Sequence, residues 1–364
     1  MPLNLFMKKM KIKIDDTEIE VREGQTILDA ARIAGIEIPT LCHSDGIEPY
    51  SSCMVCMVRD KKRNNFIPSC TALVQEGMDI DASGEEVIAL RKKAVTLLLS
   101  EHRAECEAQC RVVCPMGYNI PLMNRLLIAG EYDEAAELIR SEMKGGELNC
   151  INCKAFCVNA CRRKRIDTPV SIRNIRIFLS RNLPETPKYE VSPLYSENDV
   201  RKRFASRIGA LDATEQLEWL KECPDKVVRH EEIAGFKEAA EEAASCMHCD
   251  CRASSGCRLR ELAEMFSIKD PRGKFINTPV IKKINHKTGL VFENAKCIKC
   301  GLCVRAVADS TDEPALCFIN RGFVSMISEP LTVEFDDIPA LVAKKCVEVC
   351  PTGALAFFNE NNGT

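Results

Sequence analysis

Residues 10–34 read MKIKIDDTEIEVREGQTILDAARIA, and this stretch decides how the N-terminal part of the chain folds. Its branched apolar residues alternate with polar ones on both sides of Asp15-Asp16, which predicts a two-stranded hairpin. Residues 26–34 then predict a short helix that ends at Gly35, because glycine is favoured just past a helix C-terminus. A loop with several cysteines follows and leads into an extended segment. The predicted order is strand, strand, helix and loop.

The cysteine content narrows the class of protein. The chain has 22 cysteines in 364 residues, against five histidines and one tryptophan. Such a density is found in secreted disulfide-rich domains, in zinc proteins and in iron–sulfur proteins. Disulfide-rich domains are usually short and exported, but the N-terminus (MPLNLFMKKMKIKID) shows no apolar signal segment. We therefore expect a cytoplasmic protein whose reduced thiols bind metal.

The first cysteine group comprises Cys42, Cys53, Cys56 and Cys70, spaced C-x10-C-x2-C-x13-C. A [2Fe–2S] centre can take three thiolates from one loop and a fourth from a distant position, as in the plant-type C-x4-C-x2-C…C pattern. The first gap is longer here. After a hairpin and a helix, this spacing predicts a β-grasp [2Fe–2S] ferredoxin domain. The alternative is four zinc-binding or merely buried cysteines.

The second group contains seven cysteines within 56 residues: Cys106, Cys110, Cys114, Cys150, Cys153, Cys157 and Cys161. Cysteines four residues apart share a helix face, which alone could be core packing, but seven of them favour metal ligands. Two four-coordinate clusters need eight ligands, and His102 is a candidate because imidazole can replace thiolate. The alternative is an ordinary histidine at a helix C-terminus, where the helix dipole favours it.

The third group is the run CMHCDCRASSGC, which contains Cys246, Cys249, Cys251 and Cys257. Four thiols within twelve residues can hold one metal centre. A cluster is the preferred interpretation, although tetrahedral thiolate sites also suit zinc. A run of cysteines that binds no metal is the third alternative.

The fourth group is CIKCGLC, with Cys297, Cys300 and Cys303, completed by Cys350 before a proline. This matches the bacterial C-x2-C-x2-C run with a remote Cys-Pro that ligates a [4Fe–4S] cluster. The remaining ligand positions of a two-cluster ferredoxin are occupied by Val307, Ala340 and Ala343, with Cys346 left over. One [4Fe–4S] cluster is therefore predicted here.

Residues 10–105, with the first cysteine group and LLLSEH at 97–102, resemble the N-terminus of the large iron–sulfur subunit of complex I and of iron-only hydrogenases. In those families a histidine and a cysteine four residues later open a cluster held by one histidine and three cysteines. His102 and Cys106 match the start of that motif.

Residues 105–178 resemble the helical iron–sulfur domain of the glutamate synthase small subunit and of dihydropyrimidine dehydrogenase. The matching stretches are ECEAQCRVVCPMGYNIP, GEYDEAAELI, CINCKAFCVNACRR and DTPVSIRNIRIF. The resemblance implies two [4Fe–4S] clusters, one held by Cys106, Cys110 and Cys161 and the other by Cys114, Cys153 and Cys157. Cys150 is a candidate for the open position of the second cluster.

Several functions are excluded by missing features. No G-x-G-x-x-G motif occurs, so we expect no flavin or NAD(P) bound by this chain. The net charge of −3 gives no basic field for nucleic acid, and no apolar segment is long enough for a membrane span. No catalytic residue is predicted.

The predicted fold class is α+β, with five segments: a β-grasp [2Fe–2S] ferredoxin domain (8–83), a helical domain with two [4Fe–4S] clusters (84–181), a connector (182–235), a Cys-rich helical segment (236–268) and a ferredoxin-like module with a single [4Fe–4S] cluster (269–364). The total is one [2Fe–2S] cluster and three or four [4Fe–4S] clusters.

The predicted function is electron transfer within a multisubunit NAD(P)H-linked flavoprotein oxidoreductase, with electron bifurcation as one version. By resemblance, the partners would be an NADH-oxidising flavoprotein subunit and a second redox subunit. That second subunit would be a glutamate synthase-like flavoprotein, a hydrogenase or a formate dehydrogenase. The alternative is a redox- or metal-sensing regulator, for which we find no DNA-binding or effector module in the sequence.

Overall fold

A computed structural model describes residues 8–102, 106–143, 148–185, 213–230, 232–253, 256–268, 281–308 and 315–358. The chain divides into two compact units. The first comprises Met1–Arg103, Gly256–Thr278 and Ile284–Ala356, and the second comprises Ala104–Ser255, Pro279–Lys283 and Phe357–Thr364. Most of the second unit is therefore inserted into the sequence of the first.

The first unit begins with a five-stranded mixed sheet. Its strands are β1 (Lys9–Ile14), β2 (Thr17–Arg22), β3 (Met57–Asp60), β4 (Asn65–Pro68) and β5 (Asp79–Asp81). They lie in the order β2-β1-β5-β3-β4. β1 and β5 are parallel, whereas β1–β2, β3–β4 and β3–β5 pair antiparallel.

The predicted hairpin is confirmed, and its turn explains the two aspartates. Asp15 and Asp16 have φ angles of 43° and 68°, the left-handed pair that joins strands through a type I′ turn. The Asp15 carboxylate also accepts a hydrogen bond from the Ala82 N–H at 2.7 Å. Alternate residues of β1, including Ile12 and Ile14, are buried in the core beneath the sheet.

The predicted helix is confirmed as α1 (Ile27–Ile33). Thr26 and Asp29 form a capping box, because each side chain accepts a hydrogen bond from the other's backbone N–H, at 3.1 and 2.9 Å. Gly35 follows the helix with φ of 70°. The buried side of α1, including Ile27 and Leu28, packs into the same core as β1.

The remaining elements of this part follow α2 (Glu85–Glu101), which packs against β3 and α10. They are α10 (Arg258–Met265), β7 (Leu290–Glu293), α11 (Leu302–Ala308), β8 (Cys317–Ile319), β9 (Met326–Ser328), α12 (Ala340–Val349) and β10 (Leu355–Phe357). The division between the units falls within β6 (Lys282–Ile284). β7 lies between β10 and β6, β8 pairs with β9, and α11 packs against α12.

The second unit is helical. Its helices are α3 (Gln109–Val112), α4 (Ile120–Ala129), α5 (Tyr132–Glu142), α6 (Phe156–Asn159), α7 (Ile172–Arg181), α8 (Ala213–Leu220) and α9 (Phe236–Ala243). Gly130 separates α4 from α5 as predicted, with a left-handed φ of 79°. α4, α5, α7 and α9 share one apolar core, where the Phe236 ring contacts Tyr132 and Phe178 at centroid distances of 5.0 and 5.1 Å.

The boundaries of two predicted segments differ from the division into units. α2, which the sequence assigns to the helical domain, lies in the first unit, and the Cys-rich segment contributes α9 to the second unit and α10 to the first. Residues 186–212 of the predicted connector lie outside the described residues. Among the described helices, none is both long and apolar enough to cross a bilayer.

Candidate iron–sulfur cluster sites

The first cysteine group converges in one buried site. Cys42 and Cys53 lie in the loop between α1 and β3, and the β3–β4 hairpin brings Cys56 beside Cys70. Hydrogen bonds from the Cys53 and Cys70 thiols lower the pKa of Cys42, and the contact with Cys70 lowers the pKa of Cys56 to about 7. All four sulfurs are therefore linked by direct contacts.

Backbone N–H groups of the same loop point at these sulfurs. The Ser52 N–H donates to the Cys42 Sγ at 3.4 Å, and the Val55 N–H donates to the Cys53 Sγ at 3.5 Å. Such hydrogen bonds stabilise thiolates and adjust cluster potentials. Four buried thiols with N–H donors fit the predicted [2Fe–2S] cluster.

The C-terminal group lies in the loop before α11 and at the end of α12. Lys299 and Gly301 have φ of 54° and 71°, and these two left-handed residues make the chain turn tightly through the cysteine run. A Cβ atom on Gly301 would lie 3.1 Å from the Phe318 ring, so a side chain there would meet the ring. Cys350 caps the C-terminus of α12.

The C-terminal thiols lie close to one another, with Cys300 and Cys303 buried and Cys297 and Cys350 partly buried. Burial, together with the neighbouring Cys350 and Cys300, raises the pKa of Cys297 to about 12. Burial, with Cys346 and Cys350 nearby, raises the pKa of Cys303 well above its usual value. A buried thiol with a raised pKa stays protonated in the absence of metal, so it releases its proton to solvent when it binds metal. This donor set fits a [4Fe–4S] cluster, and the structure brings the left-over Cys346 to its edge.

One arginine joins these two sites within the first unit. The Arg305 Nη2 donates to the Cys42 carbonyl at 3.1 Å and to the Cys300 carbonyl at 3.2 Å. The two carbonyl oxygens therefore lie no more than about 6 Å apart. Arg258 makes longer contacts with the carbonyls of Leu41 and His43, at 3.5 and 3.4 Å. The cysteine loops of the two sites are thus adjacent.

His102 is the C-cap residue of α2, and it is partly buried. Its Nδ1 lies 2.9 Å from the Lys296 carbonyl oxygen, which can only accept, so Nδ1 carries the proton. Burial lowers the pKa of His102 to about 4, which keeps the ring neutral. A neutral ring does not supply the positive charge that interacts with a helix dipole. Because the proton on Nδ1 is hydrogen-bonded to a carbonyl, Nε2 carries the lone pair of the ring. Metal-binding histidines commonly have this tautomer.

In the second unit, one site contains Cys114, Cys150, Cys153 and Cys157. Burial and the nearby Cys114 and Cys153 raise the pKa of Cys150. Burial and the nearby Cys114 and Cys150 raise the pKa of Cys157 to about 12. The structure therefore places Cys150 with the three residues that the resemblance assigns to the second helical cluster.

Arg176 at this site was not identified from the sequence. Its side chain is completely buried, its Nε donates to the Cys150 Sγ at 3.3 Å, and its guanidinium lies 3.9 Å from the centroid of the Tyr118 ring. The Glu142 carboxylate is 2.9 Å from its Nη1. Arg176 occupies the same apolar side of α7 as Ile175. A charged residue on the buried face of an amphipathic helix is the pattern that could have revealed it.

The other cysteines of the second unit are not grouped as the resemblance implies, which places Cys106, Cys110 and Cys161 in one cluster. Cys110 and Cys161 line one cavity together with Cys246 and Cys249. Cys106 is not among the lining residues, and its carbonyl instead accepts a hydrogen bond from the Cys251 N–H at 3.2 Å. The run from Cys246 to Cys257 is therefore divided, because only its first two cysteines face this cavity. Cys257 caps the N-terminus of α10 in the first unit.

Within the described ranges, no three His, Cys, Asp or Glu side chains are arranged to hold a single metal ion. An iron–sulfur cluster does not require that arrangement, because its thiolates bind separate iron atoms.

Comparison with known proteins connects this chain to redox complexes. The chain is 39% identical over 106 residues to the NADP-reducing hydrogenase subunit HndD of Solidesulfovibrio fructosivorans, which covers 28% of this chain and 18% of the relative. It is 27% identical over 111 residues to the mitochondrial NADH-ubiquinone oxidoreductase 78 kDa subunit of Candida albicans, covering 30% of this chain and 15% of the relative. The chain thus spans less than a fifth of the length of either relative.

The overall fold has a counterpart in a crystal structure of a NAD+-reducing [NiFe]-hydrogenase in the H2-reduced state. The TM-score is 0.50 at 17% identity, with 96% of this chain and 87% of that chain covered. Residues 7–84 match a family model described as a 2Fe-2S iron–sulfur cluster binding domain. The resemblance to complex I and hydrogenase iron–sulfur subunits is confirmed, and residues 7–84 are similar to a 2Fe-2S domain.

Proposed function

We propose that this chain is an iron–sulfur electron-transfer subunit of a multisubunit NAD(P)H-linked flavoprotein oxidoreductase. The observation that carries the proposal is the adjacency of two cysteine sites in the first unit, where Arg305 hydrogen-bonds the carbonyls of Cys42 and Cys300. Electron tunnelling weakens steeply with distance, so neighbouring clusters at these sites would exchange electrons rapidly. The protein would supply burial, orientation and hydrogen bonds, and the clusters would supply the redox chemistry.

The proposed cofactors are one [2Fe–2S] cluster at the N-terminal site and three or four [4Fe–4S] clusters. The C-terminal cluster would be held by Cys297, Cys300, Cys303 and Cys350. One cluster of the helical unit would be held by Cys114, Cys150, Cys153 and Cys157. The parallel pairing of β1 with β5 at the centre of the sheet supports a β-grasp domain for the N-terminal segment.

The proposed partners follow from the relatives. One matched relative is named as part of an NADP-reducing hydrogenase and the other as part of an NADH-ubiquinone oxidoreductase, and these names support an NAD(P)H-linked subunit as one partner, which we propose is a flavoprotein. A glutamate synthase-like flavoprotein, a hydrogenase or a formate dehydrogenase is the second. Cys106 and Cys251 of the second unit, and His102 and Cys257 of the first, remain candidate metal ligands.

Metal analysis and rapid kinetics test this proposal. Anaerobically reconstituted protein should contain roughly 14 irons with three [4Fe–4S] clusters, or roughly 18 with four. Its reduced clusters should be reoxidised by a flavoprotein within the turnover time of the complex. Protein that binds only zinc, or reduced clusters that do not react with any flavoprotein, would contradict electron transfer.

A further inference from the structure

The cavity in the helical unit brings together thiols that are far apart in sequence. Cys110 lies in α3, Cys161 precedes the 3-10 turn Arg162–Arg165, and Cys246 and Cys249 follow α9. The other lining residues are the apolar Ala108, Ile120, Pro121, Val170, Ile172 and Met247 and the polar Gln109, Asn124, Arg162 and Arg163. Four thiols in this largely apolar enclosure form a donor set for a soft metal centre.

The segment that carries Cys246 is firmly held in place. α9 packs on α4 and α7 through Ala239 and Ala243, which are completely buried. The Ser245 hydroxyl donates to the Glu242 carbonyl at 2.7 Å, and the Arg163 Nη1 donates to the Ser245 carbonyl at 3.3 Å. The thiols at the end of α9 are therefore positioned by the helical core.

Two amide side chains give an independent indication of a ligand. Asn124 and Gln109 line the cavity, and each has only 1% of its surface exposed. The amide oxygen and nitrogen of both residues make no hydrogen bond of normal geometry among the described residues. The Asn124 side chain does approach the Cys246 thiol, so it faces the proposed ligands. Buried amides without partners are unfavourable, and the sulfur atoms of a cluster would accept their N–H groups.

We infer that Cys110, Cys161, Cys246 and Cys249 are the four ligands of one [4Fe–4S] cluster, and that Asn124 donates a hydrogen bond to it. This inference rests on the proposed function, because it assigns ligands within the same relay. It differs from the pattern implied by the resemblance, in which all ligands precede residue 162. It also separates Cys246 and Cys249 from Cys251, their neighbour in the sequence.

Single and double cysteine-to-serine variants of the full chain test the grouping. After anaerobic reconstitution, C110S and C246S should each lose about four irons and the same electron paramagnetic resonance signal. The double variant C110S/C246S should lose no more iron than either single variant, because both residues serve one cluster. The double variant C110S/C150S should lose about eight irons, because these residues serve two clusters.

Cys223 offers a matched control beside the same segment. Its thiol donates to the Cys246 carbonyl at 3.4 Å but does not line the cavity, so C223S should keep the full iron content. The inference is overturned if C246S loses the signal that C251S loses while C110S loses a different one. A wild-type chain that binds no cluster would instead contradict the proposed function, so the two failures are distinguishable.

Asn124→Leu provides a test that does not depend on removing a ligand. The variant should retain all iron but lower the midpoint potential of only the signal lost in C110S, because an N–H···S hydrogen bond favours the reduced cluster. If the potential is unchanged, or if another signal shifts instead, Asn124 does not contact this cluster.

Discussion

Replacing Arg176 by glutamine should lower the reduction potential of the cluster proposed at Cys150. The guanidinium donates to the Cys150 Sγ at 3.3 Å and is completely buried, so its positive charge favours the reduced, more negative cluster. A unit charge about 6 Å from the added electron contributes roughly 3 kcal/mol at an effective dielectric constant near 20.

The Glu142 carboxylate, 2.9 Å from the same guanidinium, is unchanged in this variant, so the shift is the contribution of the arginine charge itself. Roughly 3 kcal/mol corresponds to roughly 120 mV for a one-electron couple, because about 1.4 kcal/mol corresponds to about 59 mV. Breaking a buried ion pair also destabilises a protein by about 3–5 kcal/mol, so the folded fraction must be checked by circular dichroism.

The assay is a potentiometric titration followed by electron paramagnetic resonance. Arg173 is the matched control, because its Nε donates to the Cys150 carbonyl at 3.0 Å rather than to the sulfur. R173Q should shift the potential much less than R176Q, and R176K should restore part of the wild-type value. Equal potentials for R173Q and R176Q would refute a direct charge effect on this cluster.

The other predictions concern ligation, cofactors and stability. Cys350→Ser should remove about four irons by metal analysis, whereas Cys346→Ser should remove none; loss of one common paramagnetic signal in both would make Cys346 a ligand. The purified single chain should release no flavin on denaturation, as measured by fluorescence, because it lacks a phosphate-binding glycine motif. Glu222→Gln should lower the free energy of unfolding in urea by about 3–5 kcal/mol, because this buried carboxylate pairs with two buried cations. The exposed Asp337→Asn should cost less than about 1 kcal/mol, and equal costs for both would contradict the role given to burial.

Local features of the fold could be predicted from sequence. The hairpin follows from alternating apolar residues around Asp15 and Asp16, and α1 follows from its cap residues and Gly35, because each depends on neighbours within a few positions. The convergence of the first cysteine group is local in the same sense, since one loop and one hairpin supply all four thiols.

The grouping of the later cysteines could not be predicted in this way. Sequence proximity places Cys246 with Cys251, but the direction of each thiol depends on how α9 packs against α4 and α7. That packing depends on tertiary contacts through small residues such as Ala239 and Ala243, which are common in many helices. Arg305 was missed for a related reason, because it contacts Cys42 across more than 260 residues of sequence.

The insertion of the helical unit into the first unit has a consequence for biosynthesis. About 150 residues separate the N-terminal part of the first unit from its next segment. At 5–20 residues per second, a ribosome needs roughly 8–30 s to make them. During that time the five-stranded sheet and its cysteine loop can fold, whereas the Arg305 contact to Cys42 must await the C-terminal third of the chain. The N-terminal cysteine site can therefore form before its neighbour, and a product truncated within the inserted unit would carry the first site without the second.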